Sequence, residues 1–257
     1  MTERPILLCG DPHGRFRQIN NAAHRVNAAA VVLLGDMEPA RPLEIELEPL
    51  LTQAIQVWWI GGNHDADRDD LWSNVWGSSL SDRCISGRVV VLPDGRRLAG
   101  LSGVFRESVW YPTPAAVRGG KPTWRSRAQH ALFTPRQDRW EDGPHRRHWG
   151  SIYPEDVDGL ADLEADILVT HEAPGYHPHG FSLLDDLARS MGVKVAIHGH
   201  QHDALDSAWR WPEQGFESHG VGLRGVSALW PDGRWEVLVP GELDAVRANR
   251  TSQANSQ

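Results

Sequence analysis

The chain has 257 residues, 40% of them hydrophobic and 23% charged, with a net charge of −8. This length buries a sizeable core without disulfide staples, and the acidic balance excludes broad nonspecific nucleic-acid binding. Cys9 and Cys84 are the only cysteines, with no C-x-x-C spacing, which excludes a disulfide framework and a thiolate zinc site. The opening "MTERPILLCGD" carries too short an apolar run for a signal peptide, and nothing approaches a membrane span. A cytoplasmic protein with no membrane partner is expected.

"PILLCG" predicts a buried strand ending at a glycine, followed by a helix from Arg15 to about Asn27. "AAVVLLGD" predicts a second strand, ending on Asp36. "LEIELEPLLTQA" reads as partly helical and interrupted by Pro49, and "QVWWIGGNHD" as a third strand. Strand and helix alternating in this order predict parallel strands with right-handed crossovers. "GRVVVLPDGRRLAGLSG" predicts a hairpin turning at "PDG". After residue 150, "YPEDVDGLADL" predicts a short helix and "ADILVTH" a strand ending on His171. "FSLLDDLARSMG" predicts an amphipathic helix closed by Gly192, and "VKVAIHGHQHD" a strand ending in histidines. A second "PDG" hairpin lies within "VGLRGVSALWPDGRWEVLVPG". One domain over 1–243 is expected, with a polar, disordered tail over 244–257.

Residues 105–150 break the pattern. They hold nine Lys+Arg against four acids, a local charge of +5 in a chain whose remainder is −13, and four of the 12 tryptophans. Their prolines and weak periodicity predict a long irregular insert, a length that is usually functional or disordered. It reads either as a lid or wall offering Arg to phosphates and Trp to bases, or as a solvated excursion with tryptophans packed beneath. Arg106 and Trp110 are its candidate substrate contacts.

Polar residues recur at one kind of place. Asp11 and His13, Asp36, Asn63 and His64, His171, and His200 and His202 each follow the carboxyl end of an apolar strand. That edge is where sites form in α/β sheets. Asp, His and Asn together suit borderline divalent ions such as Mn, Fe, Zn or Ni.

The blocks "DPH" (11–13), "GDME" (35–38), "GNHD" (62–65), "THEAP" (170–174) and "GHQH" (199–202) resemble, in order, those of the calcineurin-like metallophosphoesterase superfamily. The resemblance implies a four-layer α/β/β/α sandwich of two mixed sheets. It also implies two divalent metal ions, with Mn favoured. One would be held by Asp11, His13, Asp36 and His202, the other by Asp36, Asn63, His171 and His200. His64 would face the substrate phosphate and leaving oxygen, Asp65 would orient His64, and a metal-bridging hydroxide would attack. Of the remaining polar residues, His177 and His179 read as a solvated loop, His198 as structural, and Glu38 and Glu172 as supporting or solvated acids.

Two features shade the substrate class. The run "GDMEPAR" lacks the "GDxVDRG" of protein Ser/Thr phosphatases. "LAGLSGVFRESVWY" followed by "SIYPEDVDGL" is loosely similar to lariat RNA debranching enzymes, which carry cysteine where this chain has Asp11. The expected activity is therefore a metal-dependent phosphodiesterase on a nucleotide or RNA-like substrate. The alternatives are a phosphomonoesterase on a small metabolite and, on the same fold, a non-catalytic scaffold resembling the retromer subunit.

Overall fold

Two five-stranded sheets lie face to face in a computed structural model that describes residues 4–244 and 246. In chain order the strands are β1 Ile6–Cys9, β2 Ala30–Leu33, β3 Gln56–Trp59, β4 Val89–Val91, β5 Arg97–Leu101, β6 Ile167–Thr170, β7 Val195–His198, β8 Glu217–Gly220, β9 Val226–Leu229 and β10 Trp235–Val239. The helices are α1 Arg17–Arg25, α2 Leu43–Glu46, α3 Glu48–Leu51, α4 Asp69–Trp76, α5 Arg127–Phe133, α6 Pro154–Ala161, α7 Ser182–Ser190 and α8 Trp211–Gln214. The first sheet runs β10-β9-β1-β2-β3 and the second β4-β5-β6-β7-β8. Each has a parallel centre and an antiparallel hairpin at one edge, so both are mixed.

The layering follows from side-chain alternation with period two. In β1, Leu7 and Cys9 face outward, with Val31, Leu33, Val57 and Trp59, onto Ile19 and Ala23 of α1 and Leu50 of α3. Ile6 and Leu8 face inward, with Ala30 and Val32, onto Leu98, Ile167, Val169 and Ile197 of the second sheet. That second sheet buries Ala99, Leu101 and Leu168 on its far side against Leu160 of α6 and Leu184 and Leu187 of α7. Strands apolar on both faces are what a sheet covered on both sides requires. The order helix, sheet, sheet, helix is the expected four-layer sandwich.

The structure refines several sequence expectations. Pro49 does not break a helix from within. The chain breaks at Leu47, and Pro49 sits in the first turn of α3, where no backbone N–H is needed. Several elements were not anticipated, among them β8, α4 and the short α8. Strand β8, "ESHG", lacks a hydrophobic run and forms because β7 offers it a parallel edge. Helix α4 buries only Leu71 and Val75. The 105–150 insert is not an unstructured loop either, since it contains α5 with Ser126 capping the Gln129 amide. The expected tail, apart from Asp244 and Val246, lies outside the described residues.

Candidate metal centre and its surroundings

Five strands deliver the site. Asp11 and His13 follow β1, Asp36 follows β2, Asn63 and His64 follow β3, His171 follows β6, and His200 and His202 follow β7. All leave at carboxyl ends, three from one sheet and two from the other, so the site straddles the edge where the sheets meet. The turns are strained. Asp11, His13, Asp36, Glu38, His200 and His202 have φ of 38°, 41°, 45°, 43°, 62° and 57°. Such left-handed conformations cost on the order of 1–3 kcal/mol each outside glycine and concentrate at functional sites. Glycines make room beside them: a Cβ on Gly62 would meet Asp36 Oδ1 at 2.1 Å.

Seven side chains converge as the sequence predicts. Asp11, His13, Asp36 and His202 each offer an oxygen or nitrogen within 4.8 Å of one another, and so do Asp36, His171 and His200. Asp36 belongs to both groups. Asn63 Oδ1 lies 3.3 Å from His171 Nε2, which in turn is 3.3 Å from Asp36 Oδ2. His13 Nε2 and His202 Nε2 face each other at 3.4 Å.

The hydrogen bonds set the ring orientations. His171 Nδ1 donates to the Leu34 carbonyl at 2.7 Å, which points Nε2 at Asp36 and Asn63. His13 Nδ1 is bonded by Glu38, leaving Nε2 toward His202. The carboxylates are equally committed. Asp11 accepts the His200 amide at 2.9 Å, and Asp36 Oδ1 accepts the His64 amide at 2.8 Å.

Negative charge is crowded here. Asp11, Asp36, Asp65 and Glu172 are all buried. Burial raises the Asp11 carboxyl against the pull of His171, and Asp36's charge raises it further. Burial also pushes Glu172 up to about 7. Burial acts on Asp36 in the same sense, but the His171 charge and hydrogen bond overcome it and hold its carboxyl below the usual range. Buried carboxylates beside histidine lone pairs are stabilised by cations. The donor set of four imidazoles, two carboxylates and the Asn63 amide oxygen therefore fits a pair of borderline divalent ions.

His64 stands apart from both groups, with its Nδ1 2.7 Å from Asp67 Oδ2. Partial burial disfavours its imidazolium, but the charges of Asp36, Asp67 and Glu38 outweigh that and raise its pKa. The partner of His64 is thus Asp67, not Asp65 as expected. Asp65 is fully buried and accepts the backbone amides of Met37 at 2.7 Å, Glu38 at 3.1 Å and Gly62 at 2.8 Å. It ties the loop after β2 to the loop after β3. The i, i+3 spacing of His64 and Asp67 was the available signal for the pairing.

Other expectations also change. Trp110 is 9% exposed, packs edge-on to Phe105 and donates its indole N–H to the Gly120 carbonyl at 3.0 Å. It belongs to the core of the second sheet, because a ring that large is held where apolar area is buried. Arg106 is half-buried, and the charges of Asp67, Asp36 and Glu172 reach its guanidinium. Its neighbour Phe105 donates its amide to Glu172 at 3.0 Å, which fixes Arg106 beside the rim. His177 is buried, not solvated, with Nε2 3.4 Å from Asp203. His198 is structural, as expected. It bonds the Tyr176 hydroxyl at 2.6 Å and the Gly199 carbonyl at 2.8 Å, beneath the loop that carries His200 and His202.

The insert docks on this rim. Arg146 donates to the carbonyls of Ala66 at 3.0 Å and Asp67 at 2.8 Å, pairs with Asp69 and covers Trp140. Trp140 and Trp149 pack edge-on to Trp72, which stacks on Trp76. Gly150 abuts the loop after β3: a Cβ there would come 2.8 Å from the Gly62 carbonyl and 3.1 Å from Asn63 Cα.

Comparison with known proteins agrees with this architecture. The calcineurin-like phosphoesterase family matches residues 4–204. An uncharacterized protein of Haemophilus influenzae is 34% identical over 222 residues, covering 86% of this chain and 92% of that one. A Thermus thermophilus structure superposes with a TM-score of 0.58 at 15% identity, covering 93% of this chain and 99% of that one. A dimetal phosphatase from Danio rerio superposes with a TM-score of 0.54 at 15% identity, covering 95% and 98%. The chain belongs to the calcineurin-like phosphoesterase family, and it is a metallophosphoesterase. Among the described residues, no helix is long and apolar enough to cross a membrane.

Proposed function

We propose that the chain is a dinuclear, metal-dependent phosphodiesterase acting on a nucleotide or nucleic-acid-like substrate. The observation that carries this reading is the pair of donor groups sharing Asp36. Asp11, His13, Asp36 and His202 would hold one ion, and Asp36, Asn63, His171 and His200 the other. Paired divalent ions would supply Lewis acidity toward the phosphoryl oxygens and lower the pKa of bound water. The ligand types suit Mn, Fe, Zn or Ni, and Mn is the ion of choice for the first assays.

The chain's own residues do the rest. His64, whose Nδ1 faces Asp67, turns Nε2 outward and gives a proton to the leaving alkoxide. Asp65 holds the His64 turn against the loop after β2. Arg106 neutralises a phosphoryl oxygen. The insert beside the rim carries nine Lys+Arg against four acids, which supports a substrate substituted on both sides of the phosphorus.

The test is turnover of bis-p-nitrophenyl phosphate and p-nitrophenyl phosphate by metal-depleted protein reloaded with Mn. Faster diester turnover, abolished by chelation and depressed in His64→Ala, is expected. Faster monoester turnover would replace the diester reading with a phosphomonoesterase on a small metabolite.

A further inference from the structure

His64 is held from two sides, and one of them belongs to the insert. On the amino side, Asp36 Oδ1 accepts the His64 amide at 2.8 Å and Asp65 accepts the Gly62 amide at 2.8 Å. Both acids are buried. On the carboxyl side the chain turns back, and the Asp67 amide donates to the His64 carbonyl at 3.0 Å. The same turn brings the Asp67 carboxylate to the ring, where His64 Nδ1 donates to Oδ2 at 2.7 Å.

Both members of that pair are exposed. An exposed ion pair contributes little by itself, because water screens it and two side chains must be ordered to make it. The ring direction is therefore only as well defined as the backbone that carries Asp67. That backbone is gripped from outside. Arg146 Nε donates to the Ala66 carbonyl at 3.0 Å and Nη2 to the Asp67 carbonyl at 2.8 Å, while Nη1 pairs with Asp69. A guanidinium presents its donors in a rigid fork, so two consecutive carbonyls bonded to it do not rotate independently. The fork is anchored in turn. It lies over the Trp140 ring, 5.0 Å from the centroid, and Trp140 and Trp149 pack edge-on to Trp72 of α4, just beyond the turn.

We infer that Arg146 is a positioning residue for His64 and acts through Asp67. The insert clamps the Ala66 and Asp67 carbonyls, so that the Asp67 carboxylate holds the His64 ring with Nε2 toward the leaving oxygen. The inference rests on the reading in which His64 protonates that oxygen. As the P–O bond breaks, its electron pair goes to the leaving oxygen and the proton on Nε2 joins it. A drift of the ring by an ångström spoils that transfer and leaves substrate binding and metal ligation intact. Arg146 thus serves the reaction without touching the substrate.

The experiment uses the full-length, Mn-loaded enzyme and two diesters that differ in leaving group, bis-p-nitrophenyl phosphate and diphenyl phosphate. Phenol leaves less readily than p-nitrophenol and depends more on the proton. If monoesters turn over faster, p-nitrophenyl phosphate and phenyl phosphate give the same comparison. Arg146→Ala is expected to lower kcat on the phenyl ester about tenfold and on the p-nitrophenyl ester about threefold or less, with KM and bound metal unchanged. Asp67→Ala should show the same selective loss. The double variant should be no worse than Asp67→Ala, because both residues act on one ring. Arg146→Lys keeps a charge beside Asp69 but not the fork, and should show the selective loss by a smaller factor. It decides the matter where the thermal midpoint shows that Arg146→Ala has not folded. Equal loss on both esters, no loss, or a double variant whose loss is the product of the two single losses would overturn the role of Arg146 alone. Equal loss of both esters in His64→Ala would instead overturn the reading of His64 as the acid, and the inference with it.

Discussion

At the metal rim, chemistry is carried by short turns at strand ends. In the 105–150 insert it is carried by packing between segments far apart in the sequence. The rim's donors come from short turns, two of which carry a pair two residues apart, held by backbone amides and left-handed φ angles. The insert's arginines acquire their roles from Asp69 or Asp156, which no local pattern announces. The rim is a strained, committed structure, and the insert is an aromatic-packed wall against it.

The largest effect should come from the residue common to both donor groups. Asp36→Asn is expected to lower kcat/KM on the order of a thousandfold and to reduce bound metal below two ions per chain, read by elemental analysis. A variant that kept both ions and full activity would remove the rim from the centre of the comparison. His64→Ala should follow, with kcat lower by about a hundred- to ten-thousandfold at unchanged metal content. Its loss should be greater for alkyl than for p-nitrophenyl leaving groups, because only the former need the proton.

Arg106→Ala and Trp110→Phe separate the two regions directly. The first should raise KM about tenfold with little change in thermal midpoint. The second should lower stability by about 2 kcal/mol in denaturant unfolding and leave KM alone, since Trp110 packs in the core. The reverse pattern would return Trp110 to the substrate surface. Tyr176→Phe removes the hydroxyl bonded to His198 under the His200–His202 loop. It should weaken metal affinity about tenfold by titration with a chelator, without a new step in unfolding.

The smallest effect lies far from both regions. His219 stacks on Trp235 with ring centroids 4.2 Å apart, and burial pushes its pKa down to about 4. A depressed histidine pKa means the unfolded chain binds more protons between about 4 and the ordinary value of about 6.5. Its contribution is therefore full above that window and lost as pH falls through it. Between pH 7 and 4 the thermal midpoint of His219→Phe should fall by about 3 °C less than that of the wild type.

The rim was legible because each of its turns is local. "DPH", "GNHD" and "GHQH" place donors by chain geometry alone, and the apolar runs before them mark strands whose carboxyl ends share an edge. The role of Asp65 was not legible, because its carboxylate reaches the amides of Met37 and Glu38 in another loop. Strand β8 was not legible because "ESHG" pairs only when β7 presents an edge.

By itself the sequence determined the alternation of buried strands and helices, the two "PDG" hairpins, and the seven donors with His64 at strand ends. Those follow from periodicity, turn chemistry and donor type, all short-range properties of the chain. The tertiary structure alone decided that Asp65 ties two loops together, that Trp110 is core, and that His177 is buried. Those depend on which distant segments share a low-dielectric space, where burial and neighbouring charge, not residue type, set what a side chain does.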